Sequence, residues 1–353
     1  FNMRAFNLTA TVSVTDEASM QEMGLLIASR FVDRLHFKET EGGGVQLTLL
    51  KEKLYPPVPE PPEIRASHLE KYAIRVPNSE ELKRFAQLVA GQTPVCIVPA
   101  AFQFPGKVAD MVASGEYRAA ISSGDAGRIG GGILWHCAGV KTVECYGPYL
   151  FSQHKGSPMA RDLLETCIGD IARSQTVGLI NRYPTADLPI EHFEPLGSWT
   201  MNHKDGAATS LTAYFRLMQE DPGASVWTHA DLDAFLRHEY RRLVLPREIL
   251  PVTDQGETKN PFSVLTTEFD RFQGQVTLRP LCSGTDIEKN LLSHIKLVTA
   301  EPRTAVFFLL DLAHPWQSEF TPFLMKHGFT PRAILPYAGD GDMVLFQLSS
   351  QSS

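Results

Sequence analysis

The sequence has no C-x-x-C pair and no long apolar run. Its cysteines are five in number and widely scattered: Cys96, Cys137, Cys145, Cys167 and Cys282. This spacing indicates neither a zinc ribbon nor a disulfide framework, and it is typical of buried thiols in a reducing compartment. The longest apolar stretch begins at Ala305 and is far shorter than the roughly 20 residues that span a bilayer. We therefore expect a cytoplasmic protein with no structural metal and no membrane partner.

The sequence also lacks an excess of basic residues. Its 33 Lys and Arg residues are outnumbered by 40 Asp and Glu residues, which gives a formal net charge of −7. No basic run alternates with aromatic residues, so we expect no nucleic acid partner. What the chain does have is an ordinary globular composition. With 353 residues, of which 43% are hydrophobic, it can form two or three domains with proper cores.

Proline marks the clearest boundary in the chain. Five prolines lie between Tyr55 and Pro62, and this density favours an extended polyproline II spacer. The predicted organisation is an N-terminal unit, a proline-rich linker and two blocks that repeat the same order of strands and helices. The boundaries are 1–54, 55–66, 67–200 and 201–353. Mostly antiparallel strands with a few helices predict an α+β (mixed α/β) fold.

Residues 22–50 combine a helical pattern with a strand pattern. Apolar residues from Leu25 to Leu35 include helical spacings, and Val45, Leu47 and Leu49 alternate after a glycine turn. An ordinary helix–turn–strand unit explains this pattern. The segment also resembles the closing part of the GHKL ATPase fold in anti-sigma-factor serine kinases. That resemblance implies that Gly24 opens a helix below a bound nucleotide.

The GHKL resemblance implies ATP and Mg²⁺ as ligands only where the domain is intact. The family's nucleotide site needs an upstream helix with Glu and Asn and an Asp-x-Gly motif, and neither fits before Gly24. Because the chain begins with Phe1, we expect a truncated GHKL-like unit that does not bind ATP by itself. In the full-length protein the resemblance implies an ATP-binding, anti-sigma-factor-like serine kinase.

One loop in the first block is the main candidate for a ligand site. A predicted strand over residues 142–151 is followed by the loop Gln153–Met159 and by an amphipathic helix from Pro158. A helix N-terminus presents unpaired N–H groups and a positive dipole end, which suit a pyrophosphate. Gly156 would let the backbone approach such a ligand closely. A helix start without any ligand explains the same pattern.

This loop resembles the coenzyme A loop of the GNAT acetyltransferase superfamily, which reads Gln/Arg-x-x-Gly-x-Gly/Ala between a strand and a helix. Gln153 and Gly156 match, whereas Pro158 replaces Gly or Ala and removes one N–H donor. The later segment Phe193–Trp199 resembles the family's Leu-Gly-Phe close. The resemblance implies acetyl-CoA or another acyl-CoA as cofactor. It predicts these cofactor-binding residues: Gln153, Lys155, Gly156, Ser157, Met159 and, for the pantetheine arm, Asn181.

Acyl transfer to an amine needs a base for the amine proton and an acid for the leaving thiolate. Glu144, on the strand before the loop, is the candidate base. Tyr183 lies where the GNAT family often places its tyrosine acid. An exposed strand residue and a packing aromatic residue are the respective alternatives. In the second block Thr285 and Glu288 predict a capping box, and no Gln or Arg begins the loop, so we predict a copy that binds no cofactor.

Two functions are compatible with these patterns. The first is a signalling protein whose two GNAT-like lobes bind a regulatory protein partner or an acyl-CoA signal. The alternative is an acyl-CoA-dependent N-acyltransferase that uses the Gln153–Met159 loop.

Overall fold

The computed structural model describes residues 3–10, 17–39, 45–58, 68–154, 156–202, 208–254, 256–300 and 304–349. They form a mixed α/β fold, as predicted, built on a sheet of twelve strands. The helices are α1 (Glu17–Phe31), α2 (Ser79–Gln92), α3 (Pro105–Ala113), α4 (Met159–Ile171), α5 (Ala230–Arg242), α6 (Ile287–Val298), α7 (Pro315–Ser318) and α8 (Thr321–Lys326). None of the helices in the described ranges is long and apolar enough to cross a membrane.

The described ranges also contain the strands of the fold. They are β1 (Arg34–Glu39), β2 (Val45–Leu50), β3 (Ala73–Arg75), β4 (Tyr117–Ser123), β5 (Ile129–Cys137), β6 (Thr142–Leu150), β7 (Gly178–Asn181), β8 (Glu194–Asn202), β9 (Ala208–Leu217), β10 (Ala224–Thr228), β11 (Arg247–Pro251), β12 (Val264–Asp270), β13 (Gln275–Cys282), β14 (Ala305–Asp311), β15 (Phe329–Leu335) and β16 (Met343–Leu348). Short 3-10 helices lie at Met3–Phe6, Val95–Ile97, Ala100–Gln103, Asp125–Gly127 and Ile190–His192.

Helix α2 forms as its local sequence predicts. The Asn78 side chain accepts a hydrogen bond from the Glu81 N–H at 3.0 Å, and the Glu81 carboxylate accepts one from the Asn78 N–H at 3.0 Å. This capping box satisfies both groups at the helix start. Leu82, Phe85 and Val89 then lie on one buried face against the sheet. The Asn78-x-x-Glu81 sequence predicts such a box, and the structure confirms it.

The large sheet contains the same arrangement twice. Its order is β12-β13-β14-β16-β15-β8-β9-β7-β6-β5-β4-β3. In each half a parallel pair joined by a helix, β6–α4–β7 or β13–α6–β14, is followed by two antiparallel strands with the later one inside. We call residues 68–217 the first lobe and residues 224–349 the second lobe. The repeat of element order is thus present in the sheet.

The boundary between the two lobes lies at a different position in the chain from the one predicted at residues 200–201. The predicted boundary falls inside β8, and β9 pairs with both β7 and β8. Because strands that share a ladder belong to one sheet unit, the first lobe extends to the end of β9. The second lobe begins with a separate parallel pair, β10 and β11, joined by α5.

The N-terminal residues pack against the second lobe. Asn7 is buried, and its side chain bonds the Ser263 carbonyl oxygen and the Leu265 N–H, each at 2.9 Å. Helix α1 holds this segment through Arg30, which donates to the Leu8 carbonyl oxygen at 2.6 Å. β1 and β2 form an antiparallel hairpin of their own. Residues 3–10 therefore pack against the second lobe, which is distant from them in sequence.

The start of the predicted linker also has a partner. The Tyr55 hydroxyl donates to Asp110 on α3 at 2.9 Å, and the Val58 N–H donates to the Gln103 carbonyl oxygen at 2.8 Å. Residues 51–58 have no helix or strand but lie against the first lobe. Residues 59–67 of the predicted spacer are outside the described ranges.

Candidate functional site

The parallel pair β6 and β7 opens towards one end. Their register covers only Thr142–Glu144 against Gly178–Ile180, while β6 runs on to Leu150. Gly147, three residues after the last paired residue Glu144, has φ +95°, a conformation that favours glycine. The strands therefore separate at the level of Gly147. Helix α4 begins beside this opening because the loop after β6 leads directly into it.

The predicted coenzyme A loop lies at the start of α4. Gly156 has φ +81° and open space around it, and the Ser157 hydroxyl accepts a hydrogen bond from the Met159 N–H at 3.3 Å. No side chain caps this helix at Pro158. The backbone N–H groups of Ala160 and Arg161 have no acceptor among the described residues. The loop thus offers free backbone donors, as an anion site requires.

The other predicted loop residues have internal roles. Gln153 donates to the Phe151 carbonyl oxygen at 2.7 Å and accepts from the Leu69 N–H at 3.4 Å. The Met159 side chain is fully buried against Ser122. Lys155 lies outside the described residues. Of the predicted set, Gly156 and Ser157 are the residues placed at the open surface of the loop.

Glu144 lies in a buried ion pair. Its two carboxylate oxygens each accept a hydrogen bond from Arg182 at 2.6 Å, and its side chain is 1% exposed. Burial acts to raise the pKa of Glu144, but Arg182 and His136 outweigh it and hold the pKa at about 2. A carboxylate with this pKa is a poor proton acceptor at neutral pH. The geometry therefore favours positioning of Arg182 over the base role that we predicted.

Asn181 closes the opening between the two strands. Its Nδ2 donates to the Gly147 carbonyl oxygen at 2.7 Å, and its Oδ1 accepts from the Tyr183 N–H at 3.1 Å. Both polar atoms of the side chain are thus engaged within the protein. A pantetheine arm that used Asn181, as we predicted, would have to replace one of these bonds.

Tyr183 lies just beyond β7 and faces the second lobe. Its ring stacks near Tyr146 with centroids 6.5 Å apart, and its hydroxyl accepts a hydrogen bond from Gln275 Nε2 at 3.3 Å. Burial raises the pKa of the Tyr183 hydroxyl. The hydroxyl therefore stays protonated at neutral pH and is able to donate a proton.

A cavity of about 240 Å³ lies between the lobes at this point. The first lobe contributes Tyr146, Arg182 and Tyr183 to its wall. The second lobe contributes one face of its outer strands: Glu268 and Asp270 from β12, and Gln275, Thr277 and Arg279 from β13. The cavity thus connects the open end of β6 and β7 with a polar surface of the other lobe.

The corresponding loop of the second lobe differs from the prediction. Asp286, not Thr285, precedes α6, and the Glu288 carboxylate pairs with Lys326 and His327 instead of the helix start. The predicted capping box is wrong because residues 260–263 cover this end of the helix. The Asp286 carboxylate accepts from the Ser263 N–H and hydroxyl at 2.5 and 2.8 Å.

A second cavity of about 1430 Å³ lies where β13 and β14 separate. Pro280 on β13 and Leu309 on β14 line this cavity. Arg4 of the N-terminal segment and Phe262 line it as well. The sequence pattern did not predict it, because a loop motif describes only the helix start. Arg279 and Leu309 line both cavities.

One group of side chains in the described ranges has the chemistry of a metal site. Asp311, His314 and Asp340 bring a ligand atom each to within 4.8 Å of one another. However, Asp311 already accepts hydrogen bonds from the N–H groups of Ala313, Asp340 and Gly341. These bonds explain the cluster as the support of a turn.

Gly24 lies inside α1 and does not open it, which differs from the predicted position. The helix begins at Glu17, and nothing lies within 4 Å of where a Gly24 Cβ would be. Gly24 lines neither the 240 Å³ nor the 1430 Å³ cavity. The GHKL resemblance and its ATP site stay predictions.

Sequence reasoning missed Arg182 and Arg279. Each follows from strand register: Arg182 comes directly after β7, beside Glu144 on β6, and Arg279 lies on the cavity face of β13. Alternation along β13 does place Gln275, Thr277 and Arg279 on one face. The signal that could have found them was therefore a polar face on a strand that must otherwise be buried.

No protein-family profile and no curated protein sequence matches the chain. Several solved acetyltransferases are similar to part of it. An N-acetyltransferase from Staphylococcus aureus Mu50 is 15% identical, covers 42% of this chain and 100% of its own, and has a TM-score of 0.34. A GNAT superfamily phosphinothricin acetyltransferase from Sinorhizobium meliloti, in complex with AcCoA, is 15% identical, covers 41% and 88%, and has a TM-score of 0.33.

A GNAT family N-acetyltransferase from Escherichia coli, in complex with CoA, is 13% identical, covers 31% of this chain and 61% of its own, and has a TM-score of 0.25. Because the scores and identities of these matches are low, the function has to be inferred from the geometry of this chain.

Proposed function

We propose that this chain is an acyl-CoA-dependent N-acyltransferase whose cofactor binds where β6 and β7 separate. The observation that carries the proposal is the opening at Gly147 beside the uncapped start of α4. A thioester arm suits the gap between two strands, and a pyrophosphate suits free N–H groups at a helix start. Gly156 leaves room for the phosphates to approach the backbone.

The reaction would take place at the cavity between the lobes. The amine nitrogen attacks the thioester carbonyl carbon, so a C–N bond forms and the C–S bond breaks. One proton passes from the nitrogen to solvent water, and the sulfur departs as a thiolate that takes up a proton from an acid, which regains a proton from solvent. We assign the second proton to the Tyr183 hydroxyl, because its raised pKa keeps it protonated. The Glu144 carboxylate positions Arg182 in the cavity wall.

Ser157→Glu tests the cofactor site. A carboxylate in this loop repels the phosphates of acetyl-CoA, so we expect its dissociation constant to rise at least tenfold, which corresponds to about 1.4 kcal/mol. Isothermal titration calorimetry with acetyl-CoA measures the change. The matched control is Thr166→Glu, the same change of charge at an exposed position later in α4. Absence of acetyl-CoA binding to the unmodified chain, or equal binding by both variants, would contradict the proposal.

One observation favours the regulatory function as a second candidate. Both polar atoms of Asn181 are already bonded inside the protein, so the site is partly closed. A protein that only binds acyl-CoA needs the Gln153–Met159 loop, but it needs no route by which an amine acceptor reaches the thioester. Acetyl-CoA binding without release of CoA in the presence of amines would favour this candidate over the transferase.

A further inference from the structure

The cavity between the lobes contains an arginine whose side chain has no partner among the described residues. Three cationic side chains line it, namely Lys107, Arg182 and Arg279. Lys107 pairs with Glu52, and Arg182 is bonded by both oxygens of Glu144. Within the described ranges the Arg279 guanidinium has no hydrogen bond and no carboxylate within 4.0 Å. Its charge is therefore available to a ligand.

Arg279 lies where two cavities meet its side chain. It lies on β13, and both the 240 Å³ and the 1430 Å³ cavities include it in their walls. Its side chain is exposed, yet desolvation by the surrounding protein lowers the pKa of its guanidinium, and the Glu268 carboxylate offsets only part of this lowering. An anion bound at this position would replace the lost hydration. Arginine is suited to this role because its planar fork binds a carboxylate through two parallel bonds.

Carboxylates of the second lobe lie on the same face of the sheet. Glu268 is paired in register with Thr277, two positions before Arg279, and it forms no ion pair among the described residues. Asp270 accepts hydrogen bonds from the N–H groups of Phe272 and Gln273, so its role is to hold the turn. The cavity therefore presents a cation and an anion on neighbouring strands that interact with each other through space but, within the described part of the chain, form no ion pair within 4.0 Å.

We propose that the acceptor is an α-amino acid or a similar small zwitterion, with its carboxylate on Arg279 and its amino group towards Glu268. This inference rests on the proposed function, because it names the acceptor of that transfer. The size of the cavity agrees with it: about 240 Å³ lies below the roughly 300 Å³ at which drug-sized ligand pockets begin. A long polyamine, by contrast, has no negative charge for Arg279 to bind.

The test compares proteinogenic amino acids with their carboxamides, which keep the amine and lose the negative charge. Binding to the full chain is measured by thermal shift and calorimetry, with and without saturating CoA. We expect at least one amino acid to bind the unmodified chain at least tenfold more tightly than its carboxamide does. Arg279→Met should remove this preference, and Arg279→Lys should retain part of it.

Arg271→Met is the control, since Arg271 is exposed in the turn between β12 and β13 and lines neither of the two cavities. The melting temperature and the acetyl-CoA dissociation constant should be the same in Arg279→Met and the unmodified chain. No amino acid binding, or equal binding of acids and carboxamides, would overturn the inference and leave the cofactor site intact. Amino acid binding that depends on Arg279 in a chain that binds no acyl-CoA would instead overturn the proposed function.

Discussion

At the scale of single residues, the Glu144–Arg182 pair connects stability with the site. Glu144 is enclosed by β5 and β7, and both of its oxygens are used by one guanidinium. Removing one partner of such a pair leaves an uncompensated charge in a poorly solvated place. Because Arg182 also lines the cavity, its orientation depends on this carboxylate.

Glu144→Gln should lower the free energy of unfolding by about 3 kcal/mol at pH 7, because Arg182 loses its counter-charge. The folded-state pKa of about 2 is below the ordinary value, so the ionised carboxylate stabilises the fold above about pH 4.5. That contribution is lost as the pH falls from 4.5 towards 2. The difference between the unmodified chain and the variant in urea unfolding should therefore shrink over this range. Glu165→Gln, at an exposed position of α4, should show no such difference.

Residue types alone singled out Glu144 and Tyr183 but did not give their roles. Glu144 was chosen for its position on a strand before the loop, whereas its role depends on Arg182, which is distant in sequence and adjacent only through the register of β6 and β7. Arg279 was not singled out, because an arginine shows from sequence neither that it faces a cavity nor that it lacks a partner. Such information arises only when the strands pair.

At the scale of elements, sequence patterns predicted the features of helices that depend on neighbouring residues. The periodicity of α4 and α6 and the Asn78 capping box are properties of neighbouring residues, and all appear in the structure. The box predicted at Thr285 failed because residues from another part of the chain reach the same helix end. Competition by distant segments is invisible to a local pattern.

The N-terminal segment is the clearest distant contact. The Asn7 side-chain oxygen accepts a hydrogen bond from the Leu265 N–H on the edge strand β12. It also accepts one from the Asn290 side chain on α6. Its partners lie in the opposite part of the sequence, so no pattern in residues 1–54 could predict them. The contact gives the free edge of β12 a partner and so protects it from pairing with other chains.

Asn7→Ala should lower the free energy of unfolding by about 2 kcal/mol, because the buried Leu265 N–H loses its acceptor. Hydrogen exchange at the Leu265 amide should accelerate as well. Both are measurable by urea unfolding and by NMR on the full chain. Thr9→Ala, in the following turn, is the control and should change stability by less than about 0.5 kcal/mol. Unchanged exchange at Leu265 would show that the segment does not bind the edge in solution.

At the scale of the whole molecule, one sheet joins two lobes of like topology. β8 and β15 meet at a single register position, Gly197 against Ala333. Beside it the Gln347 side chain continues the ladder: it donates to the Thr200 carbonyl oxygen at 2.6 Å and accepts from the Thr200 N–H at 3.1 Å. The cavity with Arg279 takes its wall from both of the lobes that this junction connects.

Gly197 is the position where this junction is most restricted. Its φ of +152° is one that other residues rarely adopt, and a Cβ there would overlap the carbonyl oxygen of Arg332. In the sequence Gly197 marked only a family motif and a repeat. Its observed role is to let two backbones from different lobes approach closely.

Gly197→Ala should therefore lower the free energy of unfolding by about 3 kcal/mol or more, through backbone strain and the displaced β15. Because the displacement widens the cavity between the lobes, it should also weaken binding of any ligand held by groups from both. Urea unfolding gives the first effect, and amino acid titration gives the second. Gly169→Ala is the matched control: it lies in α4 with open space around it and should gain up to about 1 kcal/mol. If Gly197→Ala loses stability and keeps full ligand binding, the cavity does not depend on the junction, and the two lobes bind independently.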